Sequence, residues 1–282
     1  MTKKIKSIGI LKESRPDETR APIAPSQVSL IIEKYPDINI IVQPCDNRTF
    51  KNNEYSEFGA KISEDLNSCD LLFGVKEVDV KRLIPNKDYI FFSHTYKLNK
   101  ETLSNAQGTP GMDKKELLKS ILSKKIKLID YENIRAANGS RYLGFGRFAG
   151  IVGCYNTLNL YLKLNKKKLL PRAFEINSYE KIKKLISKQN FNKIKILLTG
   201  SGRASKGAIE MLEHANIKQV SINDYLNKKY NEAIFSNISA RKHVEKKDGK
   251  DISKIKNYLF DTDMLIACHY WDPKFPKLFF SK

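Results

Sequence analysis

The chain of 282 residues is 41 % hydrophobic and 29 % charged, a balance that supports packed cores and excludes a disordered or fibrous protein. Its formal charge of +20 suits anionic substrates or cofactors, but the lysines are spread over almost every element without aromatic interleaving or finger spacing, so no nucleic-acid partner is expected. With no run of 18 apolar residues, no leader before the first strand and four scattered cysteines (Cys45, Cys69, Cys154, Cys268), the chain reads as a cytoplasmic protein with reduced thiols and no membrane partner.

Residues 5–11 predict a strand, and the charged stretch from Lys12 to Arg20 a loop after it. Pro25 then opens a helix to about Tyr35, with Val28, Ile31 and Ile32 on one face and proline acceptable in its first turn. Ile38–Val42 predicts the next strand, Asn53–Phe58 a short helix, and Asp70–Val75 and Tyr89–Ser93 two further buried strands. Lys114–Lys125 has helical periodicity and Ile126–Asp130 is another strand. Strand alternates with helix throughout, the pattern of an open, mostly parallel α/β sheet.

Small residues and aromatics from Gly144 to Gly150 begin a second regime. An apolar segment over 151–164 reads as a connecting helix, 165–177 as a basic linker, and Tyr179–Ser187 as another helix. Next, Lys195–Thr199 is an apolar strand that enters Gly200-Ser201-Gly202-Arg203-Ala204-Ser205 and then a helical pattern. Strand, glycine turn and helix in that order are the context in which backbone N–H groups face a pyrophosphate. Gly200 makes the turn and Gly202 leaves room for phosphate, while Ser205 stands where a third glycine is expected. An ordinary strand-to-helix connection has the same pattern, and both readings stand. A strand at Gln219–Ile222 is expected to end near Asp224, at the distance from the glycine turn where an acid binds ribose hydroxyls and favours NAD over NADP. Ala233–Phe235 and Met264–Cys268 predict strands, and 241–257 a polar loop.

In an open parallel sheet the carboxyl ends of the strands form one rim, where ligands sit. Arg20, Lys76, His94 and Lys97 all follow predicted strands of the first domain, so they are candidates for a common site. Arginine clamps a carboxylate with two hydrogen bonds, histidine titrates nearest neutrality, and a nearby lysine stabilises developing negative charge. Each is also an ordinary solvated charge or cap on the bland reading. His214 falls at a helix end, His243 in a lysine-rich surface segment, and His269 directly after a strand. The four histidines have no metal-binding spacing, and no metal is expected.

Several of these segments together resemble the alanine dehydrogenase/pyridine nucleotide transhydrogenase N-terminal superfamily, nearest to the lysine-forming saccharopine dehydrogenases and their bacterial relatives. The markers are Lys12-Glu13 with Glu18–Pro25, Phe73–Glu77, Phe91–Lys97, Leu128–Glu132, Phe145–Gly150, Thr199–Gly207 and Cys268–Pro273. The resemblance implies an NAD-dependent oxidoreductase of lysine metabolism that oxidises a secondary amine of an amino-acid substrate, the imine then being hydrolysed to lysine and 2-oxoglutarate. It implies Lys76 and His94 as catalytic residues, and Arg20, Glu77, Lys97 and Glu132 as substrate-binding residues. Relatives continue through further strands where this chain stops at Lys282. An alanine dehydrogenase-like enzyme, or a catalytically inactive nucleotide- or metabolite-binding relative, are the competing readings.

The expected architecture is therefore α/β with two open parallel-sheet domains. Residues 1–145 form a catalytic domain, 146–177 a connecting helix and linker, and 178–282 a Rossmann-like NAD-binding domain, incomplete at its C-terminal end.

Overall fold

The structure, a computed structural model, describes residues 4–95, 98, 113–176, 178–239, 244–247 and 249–270. The chain divides into two compact units, 1–144 and 145–282, each an α/β fold with its own parallel sheet.

In the first unit six strands, β1 (Ser7–Ile10), β2 (Asn39–Val42), β3 (Lys61–Ile62), β4 (Leu71–Phe73), β5 (Asp88–Phe91) and β6 (Lys127–Asp130), lie in the order β3-β2-β1-β4-β5-β6. All neighbours are parallel. Strand alternation sends Ile8, Ile10, Ile40 and Val42 to one face, where they pack with Val28 of α1 (Pro25–Lys34) and Tyr55 of α2 (Asn52–Glu57). Leu72, Tyr89 and Phe91 face the other way, against Leu117 and Ile121 of α3 (Lys114–Ser123). Helices thus cover both faces, which is why these strands read as nearly continuous apolar runs. The sequence order reverses direction between β1 and β4, so the loops that leave β1, β4, β5 and β6 lie side by side along the carboxyl rim.

The second unit begins with α4 (Gly146–Leu164), followed by α5 (Tyr179–Ser187), β7 (Lys195–Thr199), α6 (Arg203–His214) and β8 (Lys218–Gln219). Then come α7 (Ile222–Asn227), β9 (Ile234–Ile238), β10 (Val244–Lys247), β11 (Lys250–Ser253), α8 (Lys256–Leu259) and β12 (Met264–Ala267). The parallel sheet has the order β12-β7-β9-β8. Ile196, Leu198 and Phe235 pack against α4, α5 and α6, while Leu197, Ile234 and Ile238 pack against Tyr225 of α7. Every third or fourth residue of α4 (Ile151, Cys154, Tyr155, Leu158, Leu162) is buried in the first of these clusters, so the helix expected to connect the domains packs as part of the second unit. Gly150 and Gly207 allow its approach to α6. A Cβ on Gly150 would stand 1.8 Å from the Ala204 carbonyl oxygen, and one on Gly207 would stand 1.9 Å from that of Arg147.

Four local expectations are corrected. The helix read from 151 starts at Gly146. The strand read as 219–222 ends at Gln219, because Ser221 caps a helix by accepting the Asp224 N–H at 3.0 Å. The strand read as 233–235 extends to Ile238, paired along its whole length with β7. Finally, the polar stretch read as loop contains the antiparallel hairpin β10–β11, with Gly249 at φ +75° beside its turn. No helix among the described residues is long and apolar enough to cross a membrane.

Candidate functional site

The β1 loop enters the rim with three carboxylates and two arginines. Glu18 is buried, and Arg20 grips it through Nε to Oε1 at 2.7 Å and Nη2 to Oε2 at 2.5 Å. Burial works to raise the Glu18 carboxyl, but the hydrogen bonds and charge of Arg20, helped by Lys76, outweigh it and hold the group below the ordinary carboxylate range. Outside this pair, Arg15 forms a surface ion pair with Asp17 at 2.7 Å. Glu13 crosses to the β4 loop, where its carboxylate accepts the N–H groups of Val75 at 2.7 Å and Lys76 at 2.9 Å.

Beyond β4, Lys76 is half-buried and Glu77 is buried. Beyond β5 stands His94, whose Nδ1 lies 2.9 Å from Glu132 and whose Nε2 lies 3.7 Å from Glu77. The closer contact is made by Nδ1, and Nε2 is turned toward Glu77. The other Glu132 oxygen faces Arg141 at 3.2 Å. Beneath this pair Ser93 donates to Asp130 in a buried hydrogen bond, and Asp130 in turn accepts the Glu132 N–H at 2.8 Å. Phe92 stacks on the His94 ring and also meets Tyr131. The structure therefore gathers His94, Glu77 and Glu132 into one contact group and joins Lys76 to the β1 loop through Glu13. Lys97 lies outside the described residues, as does the segment after Tyr270.

Sequence reasoning assigned no site role to Glu13, Glu18, Ser93, Asp130 or Arg141. The legible signal was position: Glu13, Ser93 and Asp130 lie at or within a few residues of the end of β1, β5 or β6, and Glu18 lies further along the β1 loop. Arg141 is recruited by a turn in which Arg135 bridges it, and nothing local marked it.

In the second unit Gly200 follows β7 at φ +105°, and a Cβ there would meet the Cys268 and His269 backbone at 2.8 Å. Both constraints demand glycine. Gly202 is the N-cap of α6 with open space where its Cβ would be. Ser201 is exposed between them. The N–H groups of Arg203, Ala204 and Ser205 precede the helical ladder, which begins with Lys206 N–H to the Gly202 carbonyl at 3.1 Å. Ser205 is buried and accepts from Asn237 Nδ2 at 3.3 Å. Thr199 and His269 Nδ1 join at 2.7 Å across the point where the strand order reverses, and burial pulls the His269 pKa down. Asp224 lies in the first turn of α7, not at a strand end, and pairs with Lys228 at 3.1 Å.

Fold and rim together define a two-unit α/β protein with a cluster of histidine and carboxylates on one sheet and a glycine turn on the other. The alanine dehydrogenase/PNT N-terminal domain family matches residues 9–152, just over half of the chain, and the chain belongs to this family. Among curated proteins it is 28 % identical over 331 residues to alpha-aminoadipic semialdehyde synthase of Arabidopsis thaliana, covering 98 % of this chain and 30 % of the relative. The mitochondrial protein of the same name from Bos taurus is 29 % identical over 303 residues, covering 93 % and 31 %. A saccharopine dehydrogenase [NAD(+), L-lysine-forming] of Candida glabrata is 26 % identical over 229 residues, covering 74 % and 57 %. The chain thus spans about a third of the length of the first two. In fold it is similar to an L-alanine dehydrogenase (TM-score 0.56, 15 % identity, 92 % of this chain and 64 % of that one) and to the transhydrogenase from Sinorhizobium meliloti (TM-score 0.53, 13 %, 93 % and 64 %).

Proposed function

We propose that the chain is an NAD-dependent oxidoreductase of saccharopine dehydrogenase type, acting on the secondary amine of an amino-acid substrate. The observation that carries this reading is His94 held between two buried carboxylates, Glu132 on Nδ1 and Glu77 near Nε2. A histidine fixed in this way exchanges a proton at Nε2 with water or with the amine while its other nitrogen stays protonated. Lys76 assists proton transfer at the amine or the carbinolamine formed when water adds to the imine carbon, and Arg20, braced by Glu18, orients a substrate carboxylate.

Gly200, Ser201, Gly202 and the first turn of α6 fit the pyrophosphate of a dinucleotide: the turn admits no side chain at Gly200, and Gly202 is open. Bound NAD⁺ would accept a hydride from the carbon beside the amine. Asp224 is proposed to receive the ribose hydroxyls and to favour NAD over NADP, with Lys228 tempering that preference.

The test is absorbance at 340 nm with saccharopine, lysine plus 2-oxoglutarate, and alanine, each with both nicotinamide cofactors. Turnover of saccharopine with NAD⁺ is expected. Turnover of alanine alone, or cofactor binding without any turnover, would reject the reading.

A further inference from the structure

We propose that Glu13 is a positioning residue, an internal ligand whose carboxylate fills the strand-order reversal of the first sheet and sets the backbone from which Lys76 and Glu77 project. The inference deepens the proposed function and rests on Lys76 belonging to its site. In open α/β sheets a ligand enters between the two strands where the order reverses, which in this unit are β1 and β4. Here the chain's own side chain is found between their ends. Glu13 Oε1 accepts the Val75 N–H at 2.7 Å and Oε2 accepts the Lys76 N–H at 2.9 Å. Two successive backbone donors, one to each oxygen, are the arrangement that captures a ligand oxyanion.

The Glu13 segment is pinned on both sides. Lys12 N–H donates to Gln43 Oε1 at 3.0 Å, and Arg82 Nη2 donates to the Lys12 carbonyl at 2.8 Å. Ser14 Oγ accepts both the Asp79 N–H at 3.0 Å and Arg82 Nη1 at 3.2 Å. These contacts hold Glu13 in place without a contribution from a bound molecule. They also link the β1 loop to both ends of the β4 loop, from Val75 to Asp79. Lys76 makes its backbone bond to Glu13, while Glu77, the next residue, lies near His94 Nε2. A shift of the Val75–Lys76 peptide would therefore move the roots of two proposed site residues together.

The experiment follows Lys76 directly and requires no turnover. Wild type, Glu13→Ala and Glu13→Gln are acylated briefly with an N-hydroxysuccinimide ester, and labelling is read by mass spectrometry at each lysine, with Lys61 and Lys218 as references. Hydrogen exchange of the Val75 and Lys76 amides is measured in parallel. In Glu13→Ala, Lys76 labelling should change by roughly fivefold and the two amides should exchange faster by at least that factor, the scale set by one net hydrogen bond. Formate, a bare carboxylate, should reverse both effects in this variant, and chloride at equal ionic strength should not. Glu13→Gln, with a single acceptor oxygen, should fall between the two.

Unchanged Lys76 labelling and unchanged exchange at both amides in Glu13→Ala would overturn the proposal, as would equal changes at every lysine. If Glu13→Ala does not fold, Glu13→Gln decides: the proposal is overturned when neither amide exchanges faster than other amides of the first sheet. A response at Lys76 in a protein without hydride transfer would leave Glu13 in its role and reject only the proposed function.

Discussion

His94 has φ +55°, a left-handed conformation that costs a non-glycine residue roughly 1–3 kcal/mol unless its surroundings hold it. Asparagine tolerates this conformation and does not titrate, so His94→Asn separates chemistry from folding. It should lower kcat by about 10²–10⁴ if proton transfer limits turnover, with little change in Tm. Near-native turnover would remove His94 from the mechanism. At the neighbouring pair, Arg20→Ala should chiefly raise KM, but it also strands a buried carboxylate, so part of its effect should appear as lost stability. Acid titration isolates that part. Glu18 is held below the ordinary carboxylate pKa, so its contribution is complete above about pH 4.3 and is lost as pH falls through the folded value. Tm against pH should therefore fall less steeply below that point in Glu18→Gln than in wild type.

Between elements, the crossing of α4 and α6 decides the second unit. The two helices approach at Gly150 and Gly207, where an added Cβ would overlap backbone rather than a movable side chain. Gly150→Ala should destabilise this unit by about 1–3 kcal/mol through overpacking. It should also weaken NADH binding, because α6 carries the proposed phosphate turn at its N-terminus. Denaturant unfolding and fluorescence titration check the two effects. One element further on, Lys228→Ala frees the Asp224 carboxylate from its partner. The ratio of NADPH to NADH dissociation constants should rise in that variant, and an unchanged ratio would remove Asp224 from cofactor selection.

On the scale of the whole chain, a formal charge of +20 coexists with buried Glu18, Glu77, Asp130 and Glu132 along one rim. The overall field acts at long range, whereas these buried carboxylates act through contacts, and salt separates the two. The association rate of NADH should fall with ionic strength, because long-range steering is screened beyond about 10 Å at 0.1 M salt. Contacts of the buried carboxylates are screened much less, so the effect of Glu77→Gln on substrate binding should persist at high salt. Stopped-flow binding and KM measurements across a salt series check both outcomes.

The sequence by itself determined most of the elements and the side of each that is buried, because periodicity is local: Val28 and Ile31 on α1, and the apolar run of β7, carry their burial in their spacing. It also placed charged groups after strands, which in a parallel sheet places them on one rim. Element ends were less legible. The two-residue edge strands β3 and β8 have too few residues for a pattern, and the hairpin β10–β11 lacks the apolar alternation that marks a strand.

Only the tertiary structure decided which rim residues meet. Glu13 reaches Val75 because β1 and β4 are neighbours, and His94 reaches Glu132 because β5 lies beside β6. Arg20 was legible as a cation, but its buried partner Glu18, two residues away, was not, since nothing in the local sequence sets the burial that makes the pair strong. Strand order is fixed by hydrogen bonds and packing between residues tens of positions apart, and local spacing carries no record of it.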